Sequence, residues 1–286
     1  MTSSLGSSRL IKDAADVEVP ESNVREAPKF SVITITRNDE RGLERTIDSL
    51  MAQTYRAIEH IIIDGASTDG TQVLLRQYTP DFETVIVSEP DAGIYDAMNK
   101  GAKLANGDLV VFMNSGDVFG SSDTLNFVKD KYIAGSWRWG FGAMRYVDDK
   151  GNRIGGRIQA PFVPMKLFMG VNFVPHQATY MELSFLRELG AFNLNAGIAA
   201  DQEMAIRATL VSNPAVWIEF LTDFLVGGAH SNISRWRREK IYHDIRVKQN
   251  VILGGSRLVD FIGTLVIAGS RSGRDWAAKA FRDISK

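Results

Sequence analysis

The strongest constraint in this sequence is a regular beat. Short apolar, β-branched runs occur at Ser31–Thr36, Ile58–Ile63, Thr84–Val87 and Leu109–Met113, and their ends are 27, 24 and 26 residues apart. That interval holds one strand and one crossover helix, the unit that joins parallel strands. Near-continuous apolar runs suit strands covered on both faces. Between them, Leu43, Ile47, Leu50 and Met51 share one helical face, and Asn38 or Asp39 can cap its start. A second helix is predicted from about Thr71 to Tyr78, behind Asp69 and ahead of Pro80. A third places Ile94, Met98, Ala102 and Ala105 on one side and ends at Asn106-Gly107. The predicted fold class is α/β, a doubly wound and mostly parallel central sheet flanked by helices.

Beyond Asp117 the beat is lost. Trp137–Val147 alternates like a strand, and Asp149-Lys150-Gly151-Asn152 reads as a turn. Leu183–Leu189 and Gln202–Leu210 read as helices, Val216–Phe220 as a strand, and Ile241 to the end as mostly amphipathic helix. The expected organisation is a mobile leader over 1–28, a ligand-binding half over 29–118, a second half over 119–230 that completes the site, and a basic, mostly helical C-terminal extension over 231–286.

Composition removes whole classes of function. The 286 residues include no cysteine, which excludes a disulfide framework, a thiolate metal site and a cysteine nucleophile. With 33 basic and 34 acidic residues the net charge is −1, so a basic nucleic-acid binder is not expected. The charge is uneven, however. Residues 231–286 hold 12 Lys+Arg against 5 Asp+Glu, a net of +7 that leaves −8 for the rest. Such a tail suits an anionic surface. Residues 1–16 lack an apolar signal region, and the apolar stretch Val251–Ala268 is short and interrupted by Arg257 and Asp260. The expected location is the cytoplasm, with a peripheral contact at the inner face of the membrane through the basic tail.

The informative residues follow the strands. They are Thr36-Arg37-Asn38, then Asp64 to Gly70, then Glu89-Pro90-Asp91-Ala92-Gly93, then Asn114-Ser115-Gly116-Asp117. In an open parallel sheet the carboxyl ends of the strands line one crevice, where ligands bind. Each loop alone is ordinary turn and cap chemistry; four together converge on a site. Neither a phosphate-cradling Gly-x-x-x-x-Gly-Lys-Ser/Thr loop nor a dinucleotide Gly-x-Gly-x-x-Gly turn is present. Carboxylates where those folds have glycines suggest a diphosphate held through a hard cation, Mn²⁺ or Mg²⁺, with Asp117 as the candidate metal ligand.

The stretch from Phe30 to Asp117 resembles the nucleotide-sugar half of the inverting family 2 glycosyltransferases, which have the GT-A fold and are common in bacterial surface-glycan synthesis. The matching blocks, in order, are Ser31–Asn38, Leu43–Tyr55, Ile63–Thr71, Glu89–Gly101 and Asn106–Asp108. Further matches fall at His176-Gln177-Ala178, Gly190-Ala191-Phe192 and Ala200–Glu203. The resemblance implies a nucleoside-diphosphate sugar donor and a glycan or lipid-linked acceptor. It implies that Thr36 and Asn38 contact the nucleotide, that Asp64 faces the base, and that Asp91, Asp96, Asn99, Lys100, Asn114 and Ser115 line the donor site. The metal motif falls on Asn114–Asp117 and the acceptor's general base on Asp201. Two positions depart from the family pattern: Gly65 and Gly116 stand where acids are usual.

The chemistry asks for charge neutralisation at the leaving diphosphate and a carboxylate to take the acceptor's proton. Asp117 and Asp201 fill those roles. Glu203 lies about 200° around a helix from Asp201, so the two cannot point the same way. His176 and His230 are candidate contacts to diphosphate or acceptor, and so is Arg235 in the run Arg235, Arg237, Arg238, Lys240, whose ordinary reading is a solvated helix face. Trp137 and Trp139 can stack on a sugar or fill the core. The alternatives are a non-catalytic nucleotide-sugar-binding or assembly subunit, and a nucleotidyltransferase.

Overall fold

The computed structural model describes residues 25–148, 150–226, 235–266 and 269. Four strands follow the beat: β1 (Phe30–Thr36), β2 (Ile58–Asp64), β3 (Glu83–Ser88) and β4 (Leu109–Phe112). All pair in parallel, in the order β3-β2-β1-β4. The crossovers carry α1 (Glu40–Met51), α2 (Thr71–Gln77) and α3 (Ile94–Leu104). Alternate residues of one strand feed opposite faces: Ile33 and Ile35 pack with Ile61, Met98 and Ala102, whereas Phe30 and Val32 pack with Leu50 and Ile58. Burial on both faces of β1, β2 and β4 is why these strands read as near-continuous apolar runs; β3, at the sheet edge, is half-exposed.

Then come β5 (Val118–Phe119), α4 (Thr124–Ala134), β6 (Trp139–Val147), β7 (Arg153–Arg157), α5 (Pro164–Phe168), β8 (Thr179–Glu182), α6 (Leu183–Leu189), α7 (Ala200–Val211), β9 (Ala215–Leu225) and α8 (Arg235–Lys248). They extend the same sheet through β4-β8-β6-β9-β5, with β7 paired to β6. In this second part only β6–β9 is parallel. Trp139 is fully buried, with Nε1 donating to the Ser212 carbonyl, and Trp137 meets Trp217 edge to face. Both tryptophans are core, so neither stacks on a sugar.

Of the two caps expected for α1, Asp39 is the one used, accepting from the Gly42 amide. Ile94, expected on the packed side of α3, is exposed in its first turn. The end of α3 is set by Glu59, a buried carboxylate within β2 that accepts from the Asn106 and Gly107 amides at 2.5 and 2.9 Å. Gly107 is required because a Cβ there would lie 2.7 Å from the Lys29 carbonyl oxygen.

The C-terminal region is not one amphipathic helix. After α8 the chain turns through Asn250, Gly254 and Gly255, all at positive φ, and a second helix runs over 257–266. A buried cluster joins the two: Arg246 donates to Asp260 at 2.8 and 3.0 Å and to Thr264, and reaches the Phe168 carbonyl at 3.1 Å.

Candidate active site

The loop after β4 is drawn down onto α1. The Thr46 hydroxyl donates to the Asp117 carbonyl at 2.8 Å and accepts from the Gly116 amide at 3.0 Å. Gly116 has φ +93°, a conformation that strains any residue with a side chain. The turn therefore carries its acid one position later, at Asp117. That carboxyl is buried, and burial pushes it up to about 6 against the pull of His176.

His176 opens the turn before β8, 62 residues along the chain from Asn114, yet its Nε2 lies 3.0 Å from Asn114 Nδ2. Its Nδ1 lies 3.7 Å from Asp201 Oδ2, at the start of α7. Burial opposes charge on this ring, but the Asp201 and Asp117 carboxylates outweigh it and hold the imidazole above its ordinary value. Asn114 Oδ1 is buried and has no hydrogen-bond partner. Rotating this amide brings Oδ1 to Nε2, so Asn114 can serve the neutral ring as donor or the imidazolium as acceptor.

Asp201 accepts from the Gln202 amide at 2.8 Å and from Gln202 Nε2 at 3.0 Å. Burial raises its pKa, but His176 and Gln202 together hold it below the usual carboxylate range. It is ionised at neutral pH. Glu203, by contrast, is buried and paired with Arg207 at 2.9 Å. Tyr95 packs from the start of α3, its hydroxyl on the Ile198 carbonyl at 3.1 Å, and is pushed up by burial and then by Asp201. Beneath His176 and Asp201 is a cavity of about 30 Å³ lined by Phe112, Trp139, Val174, Met181 and Phe192, among others. At about 10–15 Å³ per water it has room for two waters and is too small for a sugar.

The other strand ends are knitted together. Thr36 and Asp64 are register partners. The Asn38 amide donates to Ser67 Oγ, and its Oδ1 accepts from the Thr68 amide at 2.8 Å. Asp64 accepts from Ser67, Gln72 and Ser88. A Cβ at Gly65 would come 2.5 Å from Asp91 Oδ2, so the Asp91 carboxylate lies over that glycine. Asp96 accepts from the Ala92 amide, Lys100 pairs with Glu89 at 2.7 Å, and Ser115 donates to Asp39 at 2.6 Å. Asn99 binds both the amide and the carbonyl of Phe192 at 2.9 Å. Replacing Asn99 by Ala strands both groups and is expected to lower stability by about 1–3 kcal/mol, read as the urea midpoint. His230 lies outside the described residues, as does the Arg235 side chain.

A divalent cation shared with a diphosphate needs one or two carboxylates and keeps several waters. Among the described residues no three of His, Asp and Glu converge as a cage. Asp117 with the unpartnered Asn114 Oδ1 fits a cation whose shell is completed by phosphate oxygens. Sequence reasoning passed over Gln202, Tyr95 and the amide choice at Asn114, because their roles depend on neighbours distant in the chain.

The family model for glycosyl transferase family 2 matches residues 31–145. An uncharacterized glycosyltransferase of Mycobacterium tuberculosis is 42% identical over 211 residues, covering 72% of this chain and 78% of that protein. The chain belongs to glycosyltransferase family 2. A PGL/p-HBAD biosynthesis glycosyltransferase of Mycobacterium bovis is 30% identical over 200 residues, 68% of this chain and 74% of its own. Among solved structures, Staphylococcus aureus TarS 1-349 in complex with UDP-GlcNAc aligns with a TM-score of 0.63 at 18% identity, over 77% of this chain and 66% of that one. The mannosyltransferase PcManGT of Pyrobaculum calidifontis, in complex with GDP-Man and Mn²⁺, aligns at 0.60 and 20% identity, over 90% and 81%. At these identities the likeness is one of fold, and it gives this family 2 enzyme the GT-A architecture.

Proposed function

We propose that this enzyme moves a sugar, with inversion, from a nucleoside-diphosphate sugar to a hydroxyl of a glycan or lipid-linked acceptor in cell-surface polysaccharide synthesis. The observation that carries the reading is the ionised Asp201 carboxylate, held by Gln202 and by His176, whose ring also meets Asn114 in the loop after β4. An acceptor hydroxyl is a weak nucleophile until a carboxylate within hydrogen-bond reach takes its proton. In-line attack on the anomeric carbon then displaces the nucleoside diphosphate and inverts that carbon.

The donor nucleotide lies along the loops of Thr36, Asn38, Asp64 and Asp91. Asp96, Asn99 and Lys100 fix the start of α3 behind it, and Asn114 and Ser115 stand at the diphosphate end. Asp117 and Asn114 would hold a Mn²⁺ or Mg²⁺ ion, which when bound neutralises charge on the leaving diphosphate. His176 lies beside Asn114 at the same end and orients Asp201. A contact with the inner membrane face through the C-terminal region belongs to the same reading. The surface-glycan setting is supported by the PGL/p-HBAD relative and by a putative teichuronic acid biosynthesis glycosyltransferase of Bacillus subtilis, 38% identical over 92 residues.

The test is a thermal-shift panel of UDP, dTDP, GDP and CMP, each with and without Mn²⁺. A ligand at ~100 Kd adds about 2.7 kcal/mol. The expected result is a shift with one diphosphate, larger with Mn²⁺, while Mn²⁺ alone gives little because one carboxylate binds it weakly. No shift with any nucleotide would overturn the donor site.

A further inference from the structure

The helix over 257–266 is inside out. Its polar residues Asp260 and Thr264 are buried against Arg246, and His243 Nδ1 approaches Asp260 at 2.6 Å. Its apolar residues point the other way: Leu258 is 67% exposed, Val259 49%, Phe261 46%, Ile262 51%, Leu265 40% and Val266 64%. A surface helix in a soluble domain normally buries its apolar stripe and wets its polar one. Here the buried Arg246–Asp260 pair holds the helix in the opposite sense, and six large apolar side chains leave the protein together. Contiguous apolar surface of this kind marks a contact site.

The surrounding charge selects the occupant. Arg257 opens the helix and Lys248 closes α8, both exposed. Residues 231–286 carry a net +7, against −8 for the rest of the chain. An apolar face on a basic segment suits the acyl–headgroup boundary of an anionic bilayer, where apolar burial and electrostatic attraction add. Among the described residues no helix is long and apolar enough to cross a membrane, so the contact lies in the interface plane.

We infer that the 257–266 helix is the membrane-docking face of this enzyme, seated in the headgroup layer of an anionic bilayer. This deepens the membrane contact proposed above and rests on that part of the reading alone. The attachment also leads to the active site. Gln249, just past α8, donates to Glu203 at 2.8 Å, two residues from Asp201 on α7. The Arg246 bond to Phe168 adds α5 to the same rigid support. A docked helix therefore holds the crevice at a fixed height above the lipid, where a lipid-linked acceptor would present its hydroxyl.

The test is flotation of the full-length protein with phosphatidylcholine vesicles, with and without phosphatidylglycerol, beside a Leu258→Ser/Ile262→Ser variant. Both side chains are more than half exposed, so the variant keeps its melting midpoint and any nucleotide shift; those readouts follow the fold and the donor site, not the docking face. The expected result is binding to the anionic vesicles, weakened by salt, and a loss of about tenfold or more in the variant. Three results would overturn the inference. They are a wild-type protein that fails to float, a variant that floats as well as wild type and is released fully by salt, and a self-associated wild type that the substitutions convert to monomer without any vesicle binding.

Discussion

Replacing Asp201 by Asn is expected to lower kcat by about 10²–10⁴-fold, the range over which a positioned proton acceptor contributes. Donor affinity should change far less than kcat, because this carboxylate is proposed to serve the acceptor hydroxyl and its own partners are Gln202 and His176. The folded carboxyl lies below its ordinary pKa. Its ionisation therefore stabilises the fold above the unfolded pKa, a contribution lost as pH falls through the folded value. The Asn variant should melt slightly lower at pH 7 and draw level with wild type in acid. Initial rates under saturating donor, with the nucleotide shift as a control, separate the two effects. Wild-type turnover in this variant would remove Asp201 as the base and pass that role to another group of the site.

Asp117→Asn should act in opposite directions on activity and stability. Burial raises this carboxyl from 3.8 to about 6, so at pH 7.5 the protein pays for an ionised group in a poor place. The folded pKa lies above the unfolded one. The group therefore favours the fold below the unfolded value, and that advantage is lost as pH rises through about 6. Removing the charge should raise stability at pH 7.5 by about 1–3 kcal/mol, with the gap to wild type closing as pH falls toward 4. The loss of attraction between Asp117 and His176 sets the lower end of that range. Over the same change kcat/KM should drop by about 10²-fold or more, as expected when a group that stabilises developing charge is lost. Wild-type activity should fall below about pH 6 as Asp117 takes up its proton. A variant that is less stable yet fully active would show that the Asp117 carboxyl serves the fold and not the reaction. Natural sequences keep a destabilising buried charge where function requires it, so the joint outcome is the informative one.

The parallel half of the fold was legible because its signals are local. A strand buried on both faces needs an apolar run, and a crossover needs a fixed length of chain; both are written in consecutive residues. Asp39, Thr71 and the four polar strand ends were found on the same grounds. The polar residues inside β2 were not. Nothing local assigns Glu59 and His60 a role, yet Glu59 terminates α3, and His60 lies neutral between Thr34 and Tyr78, its pKa pushed down to about 3 by burial. Their partners are remote in sequence, so no window along the chain contains the reason for them.

The site divides in the same way. Sequence alone determined which loops carry the polar residues, that a diphosphate cradle of the glycine type is absent, and which acids survive in the family's motifs. Only the tertiary structure brought His176 between Asn114 and Asp201, spent Glu203 on Arg207, and set the opposite pKa directions of Asp117 and Asp201. It alone turned the 257–266 helix so that an aspartate faces inward and a phenylalanine outward. Periodicity gives the spacing of a helix's faces; which face is buried depends on the partner waiting for it. Here that partner is Arg246, a buried charge whose need for a carboxylate outweighs the burial of six apolar side chains.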